Sequence, residues 1–182
     1  MEILDGDRGK NYPKASEFTS TGYCLFLSAK NVTKTGFILS EKLFISKERD
    51  ELLRKGKLNK YDLVLTTRGT VGNIAYFGDN ISLENIRINS GMLIIRPDKD
   101  AIDDKFLYLV FRSKNFANQI ANNQTGSAQP QLPIRDLKRL EITLPPLKEQ
   151  RAIASILSEL DNILNEVIEQ AEGQYSDWPL VG

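Results

Sequence analysis

Five short polar loops, each containing glycine, hold most of the side chains in this chain that could recognise another molecule. They cover residues 5–14, 30–36, 66–73, 85–91 and 124–131. Their arginine, lysine, asparagine, glutamine, serine and threonine side chains are the donors and acceptors that contact phosphates and base edges in double-stranded DNA. Glycine also lets backbone amides approach a phosphate closely. Because polar glycine loops are usually simple turns, composition alone indicates DNA binding only weakly.

The candidate DNA contacts are side chains of these loops. Arginine suits a bidentate contact to guanine, whereas asparagine and glutamine suit adenine. The candidates are Arg8, Lys10, Asn11, Lys30, Asn31, Thr67, Arg68, Thr70, Asn73, Arg87, Asn89, Ser127, Gln129 and Gln131. Arg68 follows a predicted strand directly, so the loop is expected to present it outward. The alternative is that Arg68 pairs with an acidic residue inside the fold.

The motifs of common enzymes are missing. The chain has no histidine, which excludes Ser-His and Cys-His catalysis and histidine-containing zinc sites. It also has no P-loop, no dinucleotide-binding glycine motif and no Glu-x-Lys nuclease motif. Asp103 and Asp104 occupy an expected helix cap, and Cys24 lies in an apolar strand, where a buried structural thiol is expected. We therefore expect no catalytic residue, no metal site and no cofactor bound by this chain.

The composition is that of an ordinary globular protein. Of the 182 residues, 41% are hydrophobic and 26% are charged, which argues against disorder. A single cysteine indicates a reducing, cytoplasmic setting. No apolar run is long enough for a membrane span, and Met1 to Lys10 is too polar for a signal peptide.

Charge is distributed unevenly along a chain whose net charge is zero. From Pro146 onward, two basic residues accompany seven acidic ones, which gives −5 there and leaves +5 for the preceding part. This asymmetry permits a basic binding surface on the first part and an acidic element on the second. The alternative is that both are simply solvated surfaces.

Up to Leu144, short β-rich runs alternate with polar loops, which predicts a mixed α/β domain without regular βαβ units. Ser46 is expected to cap a helix that ends near Gly56, and Asp103 or Asp104 to cap a second helix through Phe116. The predicted strands are Tyr23 to Ser28, Leu63 to Thr66, Asn73 to Phe77, Met92 to Arg96 and Leu140 to Leu144.

After Pro146 the pattern becomes that of one long helix, predicted from Leu147 to Glu172 with Gly173 as its stop. Its apolar residues follow a heptad spacing: Ile153, Leu157, Leu160, Leu164, Val167 and Ala171. Such a helix would be about 39 Å long, too long to bury this stripe against a small domain. We expect a coiled coil with a helix of another copy or another protein. The alternative is a helix folded back onto its own domain.

Four motifs in order carry a resemblance to a known family. They are residues 63–73, LVLTTRGTVGN; 88–92, INSGM; 125–133, TGSAQPQLP; and 144–154, LPPLKEQRAIA. The chain resembles the specificity subunit of type I restriction-modification systems from Asp5 to about Glu172. The last of these motifs, which leads into the long helix, is the most specific.

This resemblance implies a DNA-binding target recognition domain at 1–145, a conserved spacer or dimerisation helix at 146–173 and a tail at 174–182. In the family, such a domain binds one half of a split target, and the helix helps to dock an adenine methyltransferase subunit. That partner uses S-adenosylmethionine, and a motor-nuclease subunit cleaves unmodified DNA. The specificity subunit itself is not catalytic.

The chain departs from the family in size. Family members usually hold two recognition domains and two helices, whereas this chain holds one of each. It resembles a half-size subunit or the N-terminal half of a longer one, and a homodimer through the partner helix (Ile153, Leu157, Leu160, Leu164 and Val167) would replace the internal duplication. The alternative function is a helical oligomerisation scaffold whose loops do not recognise DNA. A stand-alone nuclease is disfavoured by the missing motifs.

Overall fold

The structure, a computed structural model, describes residues 1–126 and 130–176. Its strands are β1 (Glu2–Asp5), β2 (Cys24–Leu27), β3 (Val32–Thr33), β4 (Gly36–Phe37), β5 (Phe44–Ile45), β6 (Leu63–Thr66), β7 (Ile74–Tyr76), β8 (Ile86–Ile88) and β9 (Met92–Arg96). Its α-helices are α1 (Lys47–Leu52), α2 (Asp104–Arg112), α3 (Lys114–Asn123), α4 (Ile134–Leu137) and α5 (Leu147–Ser176). The mixed α/β class predicted from the sequence is confirmed. Within the described ranges, no helix combines the length and the apolar character that crossing a membrane requires.

Two main sheets form the core. The first is antiparallel with the strand order β1-β9-β6-β7, and the second has the order β5-β2-β8, in which β2 and β8 run parallel. Alternate side chains of a strand point to opposite faces. Val64 and Ile94 pack towards Leu25 and Ile88 of the second sheet, whereas residues such as Leu65 pack against the helices. The first sheet is thus covered on both faces, which explains why its central strands are almost continuously apolar.

Four of the predicted strands are present, but the one predicted at Leu140 to Leu144 is wrong. This segment has no regular secondary structure and no strand pairing. The side chain of Gln119 forms both backbone hydrogen bonds of Glu141. Its Nε2 donates to the Glu141 carbonyl and its Oε1 accepts from the Glu141 amide, both at 2.9 Å. Leu140 and Ile142 still pack against the core, which accounts for the apolar alternation that suggested a strand.

The helix caps predicted from the sequence are partly confirmed. The Ser46 hydroxyl accepts from the amide of Arg49 and starts α1, which ends at Leu52 rather than near Gly56. The Asp103 carboxylate accepts from the amide of Phe106 at 2.9 Å and starts α2. The second predicted helix is divided at Ser113, which caps a separate helix, α3. A Ser at this position can bond to the backbone in place of the helical ladder.

Helix α5 has 30 residues, from Leu147 to Ser176, and is about 45 Å long. Gly173 does not end it, because glycine permits but does not require the left-handed conformation that stops a helix. The first half of α5 contacts residues 1–145: Gln150 and Ala154 are buried, and Asp161 lies 3.9 Å from Arg112. The apolar stripe is exposed, with Leu160 at 54% and Leu164 at 57%. These residues of the stripe are therefore not folded back onto their own domain.

Candidate nucleic-acid interface

The polar loops meet at one end of the two sheets because the strands that precede them end there. In the first sheet, Asp5 at the end of β1 pairs with Leu93, and Thr66 at the end of β6 pairs with Met92 at the start of β9. In the second sheet, the parallel strands β2 and β8 end side by side, with Leu27 opposite Ile88. The loops that follow β1, β2, β6 and β8 consequently emerge at the same end.

Backbone and side-chain contacts link four of the five polar loops to one another. The amide of Leu132 donates to the carbonyl of Thr67 at 3.0 Å, and Arg68 forms an isolated β-bridge with Gln131. The amide of Thr67 donates to the carbonyl of Gly91 at 2.9 Å. The Arg8 guanidinium donates to the carbonyl of Ser90 at 3.3 Å. Loops 5–14, 66–73, 85–91 and the described part of 124–131 therefore form one surface.

A groove of about 220 Å³ lies at the centre of this surface. We call it the loop groove; its lining residues are Arg8, Thr67, Arg68, Gln131, Leu132, Pro133 and Ile134. Arg68 and Gln131 are exposed. Among residues 1–126 and 130–176, the side chain of Arg68 has no hydrogen bond or ion pair, so the alternative of an internal pair for Arg68 finds no support there. Arg8 is 52% exposed and is paired with Asp5 at 3.1 Å.

The second loop flanks this surface on the side of the third loop. The side-chain amide of Asn73 donates to the carbonyl of Val32 at 3.0 Å, which joins β3 to the 66–73 loop. A further cavity of about 330 Å³ lies beside it, and its lining includes Lys34, Gly72, Asn73 and Arg112. The surface that carries Lys34 and Arg112 therefore adjoins the 66–73 loop and reaches α2 and α3.

Several predicted contact residues serve the fold instead of the surface. Arg87 is 5% exposed, and its guanidinium donates to the carboxylate of Asp50 and to the backbone carbonyls of Asp50, Leu53 and Lys55. Asn31 is 6% exposed, with its side chain bonded to backbone atoms of Ser28, Ile38 and Glu41. Thr67 is 6% exposed, and its hydroxyl donates to the carbonyl of Gly91. These side chains are bonded within the fold and hold the loops in place.

The remaining predicted residues divide by exposure. Asn11, Asn73 and Asn89 are half-buried and bonded to backbone groups. The exposed ones are Arg8, Lys10, Lys30, Arg68, Thr70 and Gln131. Lys30 lies 4.0 Å from Glu41, with both side chains more than 80% exposed. Ser127 and Gln129 lie outside the described residues.

The sequence interpretation overlooked Arg54 and Lys55. Both are exposed, and their backbone amides donate to the Asp7 carboxylate at 2.6 and 3.3 Å. Although its burial opposes the change, these backbone hydrogen bonds hold the pKa of Asp7 below its usual value. Asp7 thus ties a basic segment to the first loop. The sequence signal for this segment is a basic run that ends in Gly56, a pattern also typical of a helix end.

The partner helix predicted from the heptad pattern is exposed as one stripe. Ile153 is 38%, Leu157 40% and Val167 55% exposed. Together with Leu160 and Leu164, they lie on a face of α5 different from the one that packs on α2. An apolar stripe of this length is typical of a helix that packs against another helix.

Comparison with known proteins identifies the family. Residues 1–173 match the model of the type I restriction modification DNA specificity domain. The chain belongs to this family. Among curated relatives, the type I restriction enzyme MjaVIII specificity subunit of Methanocaldococcus jannaschii is 30% identical over 200 residues, which cover 100% of this chain and 44% of the relative. The EcoBI specificity subunit of Escherichia coli is 28% identical over 116 residues, which cover 64% of this chain and 24% of the relative.

Solved structures agree with the fold of this specificity domain. The HsdS subunit from Thermoanaerobacter tengcongensis superimposes with a TM-score of 0.66 at 24% identity, covering 88% of this chain and 43% of that chain. The specificity subunit from M. genitalium gives a TM-score of 0.60 at 19% identity, over 96% of this chain and 40% of that chain. The chain therefore spans less than half the length of these relatives.

Proposed function

We propose that residues 1–145 recognise one half of a split double-stranded DNA target within a type I restriction-modification complex. The observation that carries this proposal is the loop groove, in which Arg68 and Gln131 are exposed side by side at the meeting point of four loops. Arginine forms bidentate bonds to guanine, and glutamine forms them to adenine. Arg68 and Gln131 are therefore the proposed base contacts.

The lysines and arginines around the groove have a different role in this proposal. Lys10, Lys30, Arg54 and Lys55 are exposed and are suited to phosphate contacts, which position a protein on DNA without selecting a sequence. The buried Arg87, Asn31 and Thr67 support the loops from below. In this proposal the phosphate contacts set the affinity for any DNA, and the base contacts set the preference for one sequence.

We infer that α5 packs against a second α5-like helix to form an antiparallel coiled coil. The support is the exposed stripe of α5, which nothing in residues 1–126 and 130–176 covers. The second helix belongs to another copy of this chain in a homodimer, or to a second repeat of a longer subunit. In either case, two recognition domains lie at opposite ends of the helix pair and bind the two halves of the target.

The partners follow from the family. We propose that the helix pair docks adenine methyltransferase subunits, which use S-adenosylmethionine, and that a motor-nuclease subunit joins them for cleavage. The chain itself is a non-catalytic specificity subunit and works in the cytoplasm. Its contribution is the choice of sequence, and the chemistry resides in its partners.

Co-expression tests this function. The chain is expressed with a type I adenine methyltransferase subunit from the same genome, and N6-methyladenine is mapped across the host DNA. The proposal predicts methylation at one recurring split motif, which disappears when Arg68 and Gln131 are both replaced by alanine. Methylation that follows no motif, or a motif unchanged by that double substitution, would contradict the proposal.

A further inference from the structure

Among the polar side chains of α5 whose burial the structure describes, Gln150 is the most enclosed, at 1% exposure. Its Nε2 donates to the carbonyl of Ala101 at 3.0 Å and to the carbonyl of Pro145 at 2.8 Å. Its Oε1 accepts from the backbone amide of Asp103 at 2.9 Å. Both amide hydrogens and the carbonyl oxygen are therefore in use.

Two of these three bonds join segments that are far apart in the sequence, and the third joins Gln150 to the residue before Pro146. Ala101 belongs to the loop before α2, Asp103 is the cap of α2, and Pro145 directly precedes the Pro146 that leads into α5. One side chain thus ties the first turn of α5 to the start of α2. A buried and fully satisfied amide of this kind specifies one arrangement, because other arrangements leave buried polar groups without partners.

Further along, α5 continues beside α2 in the same direction. Ala154, one turn after Gln150, is 3% exposed. The Arg112 guanidinium at the end of α2 lies 3.9 Å from the carboxylate of Asp161 on α5. Both groups of this pair are substantially exposed, so it contributes little. Gln150 is therefore the main polar anchor of the contact between α2 and α5.

The face of α5 that docks on α2 is not the face that carries the apolar stripe. Each helical residue turns by about 100°, so Gln150, Ala154 and Asp161 share one face. The stripe around Leu160 and Leu164 is centred about a quarter of a turn away. Fixing the docking face consequently fixes the direction in which the stripe points.

We propose that Gln150 is a positioning residue that sets the direction and rotation of α5 relative to the loop groove, and thereby the spacing between the two DNA half-sites. The part concerning spacing rests on the proposed function. If α5 tilted or rolled on α2, the partner helix and the second recognition domain would move with it, and no single spacer length would be preferred.

The test compares Gln150→Met with a matched control, Gln119→Met. Methionine keeps a side chain of similar length but removes the amide. Gln119 makes the same type of contact, with two bonds to the backbone of Glu141, and no hydrogen bond joins it to the described side chains of α5. If Gln150→Met does not fold by circular dichroism, Gln150→Asn is used instead, because it keeps an amide that is too short to reach the three partners.

The first readout is the distance distribution between spin labels at Glu84→Cys and Glu166→Cys, two exposed positions, in the full chain. Cys24 is buried at 0% exposure, and this burial, with the nearby Asp50, raises the pKa of its thiol to about 12, so it is not labelled. We expect a narrow distribution for the native chain and Gln119→Met, and a several-fold broader one for Gln150→Met. An equally narrow distribution for Gln150→Met would overturn the proposal.

The second readout is binding to duplexes that carry half-sites selected from a random pool by the native chain, with the spacer varied by single base pairs. We expect the preference for one spacer to fall several-fold in Gln150→Met and to persist in Gln119→Met. A broadened distance distribution with an unchanged spacer preference would refute the link to spacing. If the native chain selects no sequence, the proposed function fails, while the distance measurement still decides whether Gln150 positions α5.

Discussion

At the scale of single residues, exposure separates the side chains available to DNA from those that hold the loops. Arg68 is exposed in the loop groove, and its side chain forms no hydrogen bond or ion pair with residues 1–126 and 130–176. Arg68→Ala should therefore weaken binding to the cognate duplex by about 1–3 kcal/mol and change binding to random DNA little. Titration of both duplexes at one salt concentration measures this difference.

The matched control for this prediction is Lys99→Ala. Lys99 lies beyond the Arg96 end of β9, away from the loops that meet at Met92, so its removal should leave both affinities unchanged. Should Arg68→Ala instead weaken binding equally on all sequences, with a salt slope smaller by about one, Arg68 would be a phosphate contact. A fall in its melting temperature as well would indicate a role in the fold.

The buried pair of Asp50 and Arg87 predicts how stability depends on pH. Burial alone would raise the pKa of Asp50, but hydrogen bonds from Lys57 and Arg87 outweigh it and lower the pKa. Since the folded state has the lower pKa, the pair contributes stability above the unfolded value near 3.9 and loses it as pH falls through the folded value. Asp50→Asn should cost about 3–5 kcal/mol at neutral pH, because it leaves Arg87 buried without its charged partner.

Urea unfolding at pH 7 and at pH 3 checks this prediction. The difference in unfolding free energy between the native chain and Asp50→Asn should shrink at the lower pH. Asp100→Asn, in an exposed loop, is the control and should behave like the native chain at both values. A difference for Asp50→Asn that is independent of pH would show that the charge of Asp50 does not stabilise the fold.

At the scale of elements, α5 carries a stripe whose removal should not affect the core. Leu160 and Leu164 are both more than half exposed, so Leu160→Asp with Leu164→Asp should leave the melting of residues 1–145 unchanged. The two charges would face the partner helix, and we expect a monomer that no longer docks methyltransferase. Light scattering measures the mass.

The control places the same charges outside the stripe, with Ser155→Asp and Asn162→Asp, both exposed. This variant should keep the mass of the native chain. If the stripe variant also keeps that mass, the stripe does not mediate self-association.

The sequence pattern predicted helices and strands best where a single interaction between nearby residues determines the element. The caps at Ser46 and Asp103 are set by a side chain and an amide three residues later, which the sequence shows directly. The strand predicted at Leu140 to Leu144 was wrong because Gln119, distant in sequence, occupies the backbone there. Arg87 illustrates the same limit for the site: its residue type suited DNA, but its burial against Asp50 depends on tertiary packing.

At the scale of the whole molecule, a shorter α5 should give a shorter spacer between the two half-sites of the target. In a two-fold homodimer, identical domains bind identical half-sites on opposite strands, so the target is an inverted repeat with a non-specific spacer. Deleting residues 162–168 removes one heptad and keeps the phase of the stripe. It shortens each helix by about 10 Å, close to three base-pair steps of about 3.4 Å.

Selection by this shortened chain should return the same half-sites with a spacer shorter by about three base pairs. Replacement of Glu166 by glutamine, which keeps the helix length, serves as the control and should preserve the native spacer. A target with two different half-sites would exclude the homodimer and indicate one repeat of a two-domain subunit.

The central claim is that the loop groove recognises a DNA sequence, and selection from a pool of random duplexes by the purified chain, in the presence of non-specific competitor, tests it most directly. The account predicts one enriched half-site sequence that is retained by Lys99→Ala and lost when Arg68 and Gln131 are both replaced by alanine. A pool that remains unenriched after selection by the native chain would contradict the account and favour a helical scaffold.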